Sequence, residues 1–139
     1  MTSIFADTSY WVALIDPRDQ WHDKATAISK TLTTVLTTDE VLTEVLAFFS
    51  AFDPRMRQYV LGFVVDLITN HKYVEVVEQS RASFLAGLAL YDKRPDKSFS
   101  LVDCISMQLL KVEGLWLVLT TDRHFTQEGF TILLREQEP

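Results

Sequence analysis

The sequence predicts an α/β protein, a three-layer α/β/α sandwich built on a mainly parallel sheet of five strands. Two observations lead to this fold class. Short apolar or β-branched runs alternate along the chain with longer segments of helical spacing. The short runs are almost wholly apolar, which is typical of parallel strands that helices cover on both faces. A length of 139 residues fits a single domain spanning residues 1–139.

Five strands are predicted, one for each short apolar or β-branched run. The runs are SIFA (3–6), TVLTT (34–38), VEVV (74–77), LWLVLT (115–120) and FTILL (130–134). No linker, low-complexity tract or internal repeat separates them, and the chain has only four Gly and four Pro. We therefore expect the strands to belong to one compact unit.

The segments between the strands have helical spacing. The predicted helices cover 8–32 (as one or two helices), 39–52, 54–69, 81–93 and 101–114. In the second segment one helix face is apolar and carries Val41, Val45, Phe48, Phe49 and Phe52. Asp53 and Pro54 are typical of an N-cap followed by the first helical position, and Gly114 is typical of a helix end.

Composition and charge limit the possible functions. Lys and Arg number 13 against 19 Asp and Glu, so the net charge of −6 gives no overall attraction for nucleic acid. A polyanion would need a local basic patch or bound cations. The single Cys104 excludes an internal disulfide and suits a reducing compartment. No basic segment precedes the first apolar run and no run is long enough to span a bilayer, so we expect a soluble cytoplasmic protein.

Four carboxylates fall at one edge of the predicted sheet. Asp7 follows the first strand and Asp122 follows the fourth. Glu44 lies in the second turn of the helix after the second strand, and Asp103 lies in the first turn of the helix before the fourth. Because ligands bind at the carboxyl ends of parallel strands, we expect these four side chains to meet there.

Each acid also has a structural interpretation. Asp7 and Asp122 are plausible helix caps, and Ser100 with Asp103 fits a capping box in which Asp replaces Glu. Glu44 lies beyond the first turn of its helix, where its alternative is simple solvation at the surface. The set carries more weight than any member, since capping does not explain why all four acids fall along the same edge.

The chemistry of these side chains indicates a hard divalent cation. Packing three or four carboxylates together costs several kcal/mol unless protons or cations neutralise them. No His is spaced close to each acid and there is no Cys cluster, so a zinc site is not predicted. All-oxygen ligands suit Mg²⁺ or Mn²⁺, which activate water and stabilise charge during in-line displacement at a phosphodiester. Such ions would also let an acidic protein hold an anionic substrate.

Four motifs together resemble those of the PIN-domain ribonucleases, particularly the small VapC-type toxins of prokaryotic toxin–antitoxin pairs. The motifs span almost the whole chain in the family's order: FADTSYW, TTDEVLTEVL, SFSLVDCISM and LTTDRHF. The resemblance implies Asp7 and Asp103 as the principal metal ligands. It implies Glu44 and Asp122 as the other catalytic acids of the pocket, and Thr120 as a hydrogen-bonding group within it.

The resemblance also implies a fold, an activity and partners. The fold would be a parallel five-stranded sheet flanked by helices, and the activity would be Mg²⁺- or Mn²⁺-dependent cleavage of RNA. Homodimers are frequent in this family, and in the toxins an antitoxin segment binds near the early helices and blocks the acidic pocket. An orphan RNA-processing nuclease would have a very similar sequence, whereas the intact set of acids argues against the other alternative, a PIN fold kept only for protein–protein contact.

Basic residues near the acids are candidates for phosphate contacts. Lys93, Arg94 and Lys97 precede the helix that carries Asp103, and a solvated basic loop is the alternative interpretation. Arg123 and His124 flank the pocket by sequence in a similar way. The aromatic side chains of the early helices are assigned to the core, or in part to a groove or dimer face, and include Trp11, Trp21, Phe48, Phe49 and Phe52.

Other doubly wound proteins with acids at the strand ends fit less well. A phosphoacceptor signalling module needs an Asp after the third strand and a Lys after the last one, and neither VEVVEQS nor FTILLREQEP provides it. A haloacid-dehalogenase-like phosphatase needs a second Asp at the position of Ser9. Cys104 has no His spaced to pair with it, which favours a small buried side chain over a nucleophile.

Overall fold

A parallel sheet of five strands forms the centre of the fold. In this computed structural model the described residues are 3–70 and 72–136. The strands are β1 (Ile4–Ala6), β2 (Val35–Thr38), β3 (Val74–Val77), β4 (Leu117–Leu119) and β5 (Thr131–Ile132). Every pairing is parallel, and the strands lie in the order β3-β2-β1-β4-β5. The predicted α/β sandwich on a parallel five-stranded sheet is therefore confirmed.

The order of the strands reverses beside β1. The chain places β2 and β3 on one side of β1, and β4 and β5 on the other. Because crossovers between parallel strands are right-handed, the helices of the two halves cover opposite faces of the sheet. A crevice opens at the carboxyl ends of the strands where the order reverses. Here those strands are β1 and β4, which pair Phe5 with Val118 and Ala6 with Leu119.

Seven α-helices lie between or beside the strands in the described residues, 3–70 and 72–136. They are α1 (Thr8–Ile15), α2 (His22–Ser29), α3 (Asp39–Phe48), α4 (Pro54–Thr69), α5 (Arg81–Lys93), α6 (Leu101–Glu113) and α7 (His124–Gln127). The region 8–32 thus holds two helices, and the helix predicted over 39–52 ends at Phe48 and continues as a 3₁₀ turn over Phe49–Ala51. The short α7 is not among the predicted helices, because four residues are too few to give a periodic signal.

Local capping chemistry sets several helix ends. Asp53 accepts a hydrogen bond from the backbone N–H of Met56 at 3.0 Å, and Pro54 occupies the first position of α4. At the end of α6, Gly114 has a φ of 69°, in the left-handed region where an L side chain is strained. Both ends agree with the prediction from the sequence.

Two strands are shorter than their predicted runs by three residues each. β4 covers Leu117–Leu119 within the predicted 115–120, and β5 covers only Thr131–Ile132 within 130–134. The flanking apolar residues are buried all the same, with Phe130 2% and Leu134 0% exposed. These side chains pack into the core from outside the ladder, so apolar character extends further than strand pairing.

Helices α5 and α6 approach each other closely at Gly87. A Cβ atom at this position would lie 2.4 Å from Ile105 Cγ1 and 3.2 Å from the Ile105 backbone nitrogen. A glycine is therefore needed for the present packing of α5 against the helix that carries Asp103.

Two expectations from the sequence concern the surface of the fold. Within the described ranges no helix combines the length and apolar character needed to cross a bilayer. The sequence also predicts surface or loop positions for two histidines, His22 and His71, and His71 lies outside the described residues. The other, His22, is half-buried at the start of α2.

Candidate active site

An open cavity of about 830 Å³ lies at the carboxyl ends of β1 and β4. The four predicted acids all line it: Asp7, Glu44, Asp103 and Asp122. They come from the end of β1, from α3, from α6 and from the segment after β4. The structure therefore brings together four carboxylates that are widely separated in the sequence, at the edge where the strand order predicts a binding site.

Asp7 is the most buried of these acids. The whole residue is 5% exposed, and the side-chain Oδ2 atom accepts a hydrogen bond from Thr120 Oγ1 at 2.9 Å. Burial raises the pKa of Asp7 to about 7, and the nearby charges of Asp103 and Glu44 act in the same direction. Asp7 occupies the N-cap position of α1, but its side chain makes no capping hydrogen bond. Its carboxylate is therefore directed to the cavity wall, and the interpretation of its side chain as a helix cap is wrong.

Glu44 reaches the cavity from the second turn of α3. Thr8 Oγ1 donates a hydrogen bond to Glu44 Oε1 at 2.5 Å. Partial burial raises the pKa of Glu44, and the charges of Asp103 and Asp122 raise it further, while the Thr8 hydrogen bond lowers it. Glu44 thus makes an intramolecular contact with the start of α1, and simple solvation does not describe it.

Asp103 has two roles in the structure. It forms the predicted capping box, since Ser100 N donates to Asp103 Oδ2 and Asp103 N donates to Ser100 Oγ, both at 3.0 Å. It is also 7% exposed and lines the cavity. Burial raises its pKa, and the charge of Asp122 adds to that effect. Capping and membership of the acid cluster are therefore compatible at this position.

A hydroxyl network fixes the segment after β4. Thr120, which is fully buried, accepts a hydrogen bond from the Asp122 backbone N–H at 3.0 Å while it donates to Asp7. Ser9 Oγ lies 3.0 Å from Thr120 Oγ1 and accepts a hydrogen bond from Thr121 N at 3.0 Å. Two acids from opposite ends of the chain are thus held by one threonine hydroxyl. Nothing in the sequence around Ser9 predicted its place in this network.

His124 flanks the pocket as expected from the sequence, but its contacts with two of the acids were not predicted. Its Nδ1 lies 2.8 Å from Asp103 Oδ2 and 3.3 Å from Asp122 Oδ1. Ligand atoms of these three residues all lie within 4.8 Å of one another, a grouping that could hold a metal ion. The only sequence signal was its position two residues after Asp122, and the turn that folds it back depends on α7. The sequence suggested a phosphate contact beside the pocket here, without predicting contacts with Asp103 and Asp122.

The described lining of this cavity offers its acids an imidazole, that of His124, as the only basic side chain. Among the described residues that line it there is no Lys or Arg, and a further acid, Asp19, is present. Carboxylate oxygens together with one imidazole nitrogen form a donor set that suits a divalent cation. The raised pKa values express the cost of holding this charge without a cation.

The predicted phosphate-binding cations lie outside the cavity lining. Lys93 is exposed at the end of α5, and Lys97 lies 3.6 Å from Asp96. Arg94 donates to both carboxylate oxygens of Glu128, at 2.8 and 3.0 Å. The phosphate-binding role of these residues stays a prediction.

Aromatic side chains form another part of the cavity wall. Trp21 and Phe48 both line it, and Phe48 is 51% exposed. The guanidinium of Arg135 lies 5.5 Å from the centre of the Trp21 ring. Trp11 and Phe49 are buried in the core, so the early aromatic residues divide between core and groove.

Comparison with known proteins agrees with this geometry. The family model described as the PIN domain matches residues 4–130. The chain belongs to the PIN domain family. No protein of curated function gives a significant match to the sequence.

Several solved structures share the fold of this PIN-domain protein. VapC20 of Mycobacterium tuberculosis, described as a toxin that cleaves the sarcin-ricin loop, has 21% sequence identity and a TM-score of 0.81, over 92% of this chain and 96% of that one. VapBC2 from Rickettsia felis, solved with a DNA fragment from their promoter, has 12% identity and a TM-score of 0.67, over 95% and 98%. FitAcB from Neisseria gonorrhoeae has 15% identity and a TM-score of 0.64, over 93% and 95%.

Proposed function

We propose that this PIN-domain protein is a divalent-metal-dependent endoribonuclease, with Mg²⁺ or Mn²⁺ as its cofactor, and the toxin of a toxin–antitoxin pair. One observation carries the proposal. Four carboxylates line one cavity, three of them have raised pKa values, and no described Lys or Arg of the lining balances their charge. A cluster of this kind costs free energy in the folded protein, and a bound divalent cation offsets that cost.

Asp7, Glu44, Asp103 and Asp122 would hold the cation. When bound, a divalent cation lowers the pKa of water and stabilises charge on a phosphodiester undergoing displacement. Asp7 must lose its proton before it can act as a ligand, and its pKa of about 7 places that step near neutral pH. Thr120 orients the Asp7 carboxylate through the 2.9 Å hydrogen bond, and Thr8 orients Glu44.

The cavity wall supports an unpaired RNA strand as the substrate. Nucleobases stack on aromatic side chains, and Trp21 and Phe48 offer such surfaces in the same cavity as the acids. Lys93 and Lys97 would contact phosphates further along the strand, as would the N–H groups of Arg94 that Glu128 does not engage. The similarity in fold to VapC20, whose description names cleavage of the sarcin-ricin loop, also supports RNA as the substrate.

The partners follow from the same comparisons. Similarity to VapBC2 and FitAcB supports an antitoxin partner for this chain. We expect a homodimer that works in the cytoplasm, each chain forming one domain over residues 1–139. An orphan RNA-processing nuclease and a catalytically silent interaction module are the alternatives that the experiment below separates.

Cleavage of a mixed RNA pool by the purified chain tests the proposal. We expect cleavage with added Mg²⁺ or Mn²⁺, no cleavage after chelation with EDTA, and none with Asp103→Asn. Asp92→Asn is the matched control, because Asp92 is exposed on α5 and does not line the cavity. A wild-type protein that binds the metal but never cuts RNA would support the silent module. Cleavage that persists in EDTA would overturn the proposed metal dependence.

A further inference from the structure

The position of His124 distinguishes this cavity from one lined by carboxylates alone. Its ring lies against Phe99, with the two ring centres 5.6 Å apart, and its side chain is 29% exposed. The ring nitrogen Nδ1 lies 2.8 Å from one oxygen of Asp103 and 3.3 Å from one oxygen of Asp122. The imidazole is therefore placed by packing on one side and by two carboxylates on the other.

These separations match those of neighbouring ligands around a small divalent cation. Ligands at right angles on a cation with bonds of about 2.1 Å are roughly 3 Å apart. The two measured distances of 2.8 and 3.3 Å bracket that value. Each carboxylate oxygen has two acceptor sites, so the hydrogen bond from Ser100 to Asp103 Oδ2 leaves one site available.

From this geometry we infer that His124 is a direct metal ligand, which joins Asp103 and Asp122 in a mixed nitrogen and oxygen site. The inference rests on the proposed function, since it concerns the cation of the same cavity. It adds a nitrogen donor to a site that the sequence predicted to contain oxygen ligands only.

A nitrogen ligand changes which cation the site prefers. Imidazole binds later first-row metals more strongly than it binds Mg²⁺, while carboxylate oxygens accept Mg²⁺ and Mn²⁺ alike. The site should therefore favour Mn²⁺ over Mg²⁺ to a greater extent than the carboxylates alone would.

The alternative is that His124 only orients Asp103. In that arrangement the imidazole donates its Nδ1–H to Asp103 Oδ2, and the metal contacts the carboxylates alone. Loss of an orienting group lowers the affinity for every cation by a similar factor. Loss of a nitrogen ligand lowers the affinity for Mn²⁺ more than the affinity for Mg²⁺. The change in metal selectivity therefore tells a ligand from an orienting group.

Pulsed electron paramagnetic resonance on the full chain loaded with Mn²⁺ alone, without RNA, tests the inference directly. We expect modulation from a directly bound imidazole ¹⁴N in the wild type, its replacement by the ¹⁵N pattern after selective ¹⁵N-histidine labelling, and its loss in His124→Gln. His22→Gln is the matched control, because the His22 ring contacts the Ala13 carbonyl oxygen at 2.7 Å and does not line the cavity. Bound Mn²⁺ with no nitrogen coupling in the wild type would overturn the inference while leaving the proposed metal dependence intact.

Calorimetric titrations with Mn²⁺ and with Mg²⁺ provide a second readout. His124→Gln should reduce the ratio of Mn²⁺ to Mg²⁺ affinity by about tenfold, and His22→Gln should leave it unchanged. An equal loss for both cations would assign His124 to orientation and contradict the inference. A wild-type protein that takes up neither cation would overturn both the inference and the proposed function.

Discussion

Two clusters of charged residues in this small protein differ in whether Lys or Arg side chains of the protein balance their carboxylates. Glu128, whose side chain is 6% exposed, accepts hydrogen bonds from Arg94 at 2.8 and 3.0 Å and from Lys111 at 2.7 Å. The hydrogen bond from Arg94 lowers the pKa of Glu128. Asp7, which is 5% exposed as a whole residue, has no such cations beside it, and burial raises its pKa to about 7.

The difference between the clusters lies in the partners that the chain supplies. Around Glu128 two cations of the protein balance the charge, so the site is complete in itself. Around Asp7 the neighbours are hydroxyls and further acids, which orient carboxylates without neutralising them. A buried charge that the fold leaves unbalanced indicates a place for an external cation. We therefore assign a structural role to the Glu128 cluster, while the proposed function assigns cation binding to the cavity.

The largest expected effect is on the rate of RNA cleavage, which mutations in the cavity should lower and a mutation of Glu128 should not. Asp103→Asn or Asp7→Asn removes a proposed metal ligand and should lower the rate of RNA cleavage about a thousandfold, which corresponds to ~4 kcal/mol of transition-state stabilisation. Glu128→Gln should cleave at close to the wild-type rate. Single-turnover cleavage rates at one fixed excess of Mn²⁺ measure the contrast. A wild-type cleavage rate in Asp103→Asn would contradict the assignment of metal ligands to the cavity.

The second prediction concerns pH and the stability of the metal-free protein. Between the ordinary pKa of 3.8 and about 7, folded Asp7 keeps a proton that the unfolded chain has lost. Stability should therefore fall as pH rises through this window and level off above it, by roughly 4 kcal/mol in all. The raised pKa values of Glu44 and Asp103 act in the same direction.

Urea unfolding in EDTA across this pH range measures the effect. Asp7→Asn should flatten most of the slope and be more stable than the wild type at pH 8. The lowered pKa of Glu128 has the opposite sign, since its stabilisation is lost only as pH falls through that lowered value. A metal-free protein whose stability increased from pH 4.5 to pH 7 would contradict the assignment of an unbalanced charge to the cavity.

The third prediction tests the hydroxyl network. Thr120→Val keeps the shape of the side chain but removes the hydrogen bonds to Asp7 and from the Asp122 backbone. We expect Mn²⁺ affinity to fall about 10- to 100-fold, because groups that orient metal ligands have effects of this size. Thr37→Val is a matched control, as Thr37 is also fully buried but donates to the Ala6 carbonyl oxygen. Equal Mn²⁺ affinities in the two variants would argue against an orienting role for Thr120.

The smallest expected effect is on stability, when the charge of Glu128 is removed. Glu128→Gln removes the charge that Arg94 and Lys111 share and should lower the free energy of unfolding by about 1–2 kcal/mol. Mn²⁺ affinity should not change. Thermal unfolding and calorimetry on the same preparation measure both quantities. A large loss of metal binding in Glu128→Gln would mean that the two clusters are coupled.

Much of the fold can be predicted from the sequence because its signals are local. Asp53 with Pro54, the Ser100 capping box and Gly114 each act within a few residues, and all three occur as predicted. Strand ends are less predictable, since Phe130 and Leu134 are buried without taking part in strand pairing. Apolar character reports burial more directly than it reports hydrogen bonding.

The candidate site was also only partly predictable from the sequence. The convergence of the four acids could be predicted, because each follows or flanks a strand end and parallel strand ends meet at one edge. The contact between His124 and Asp103 joins residues 21 apart and depends on α7, which has no periodic signal. The ion pair of Arg94 with Glu128 spans 34 residues and was likewise not predicted. Both contacts depend on tertiary geometry.

Calorimetric titration of the metal-free protein with Mn²⁺ at pH 7, in two buffers of different ionisation enthalpy, tests the central claim most directly. We predict uptake of Mn²⁺ coupled to release of protons, because cation binding requires Asp7 to ionise. Asp103→Asn should abolish the uptake and Glu128→Gln should preserve it. A wild-type protein that takes up neither Mn²⁺ nor Mg²⁺, or an Asp103→Asn variant that binds as tightly as the wild type, would contradict the account.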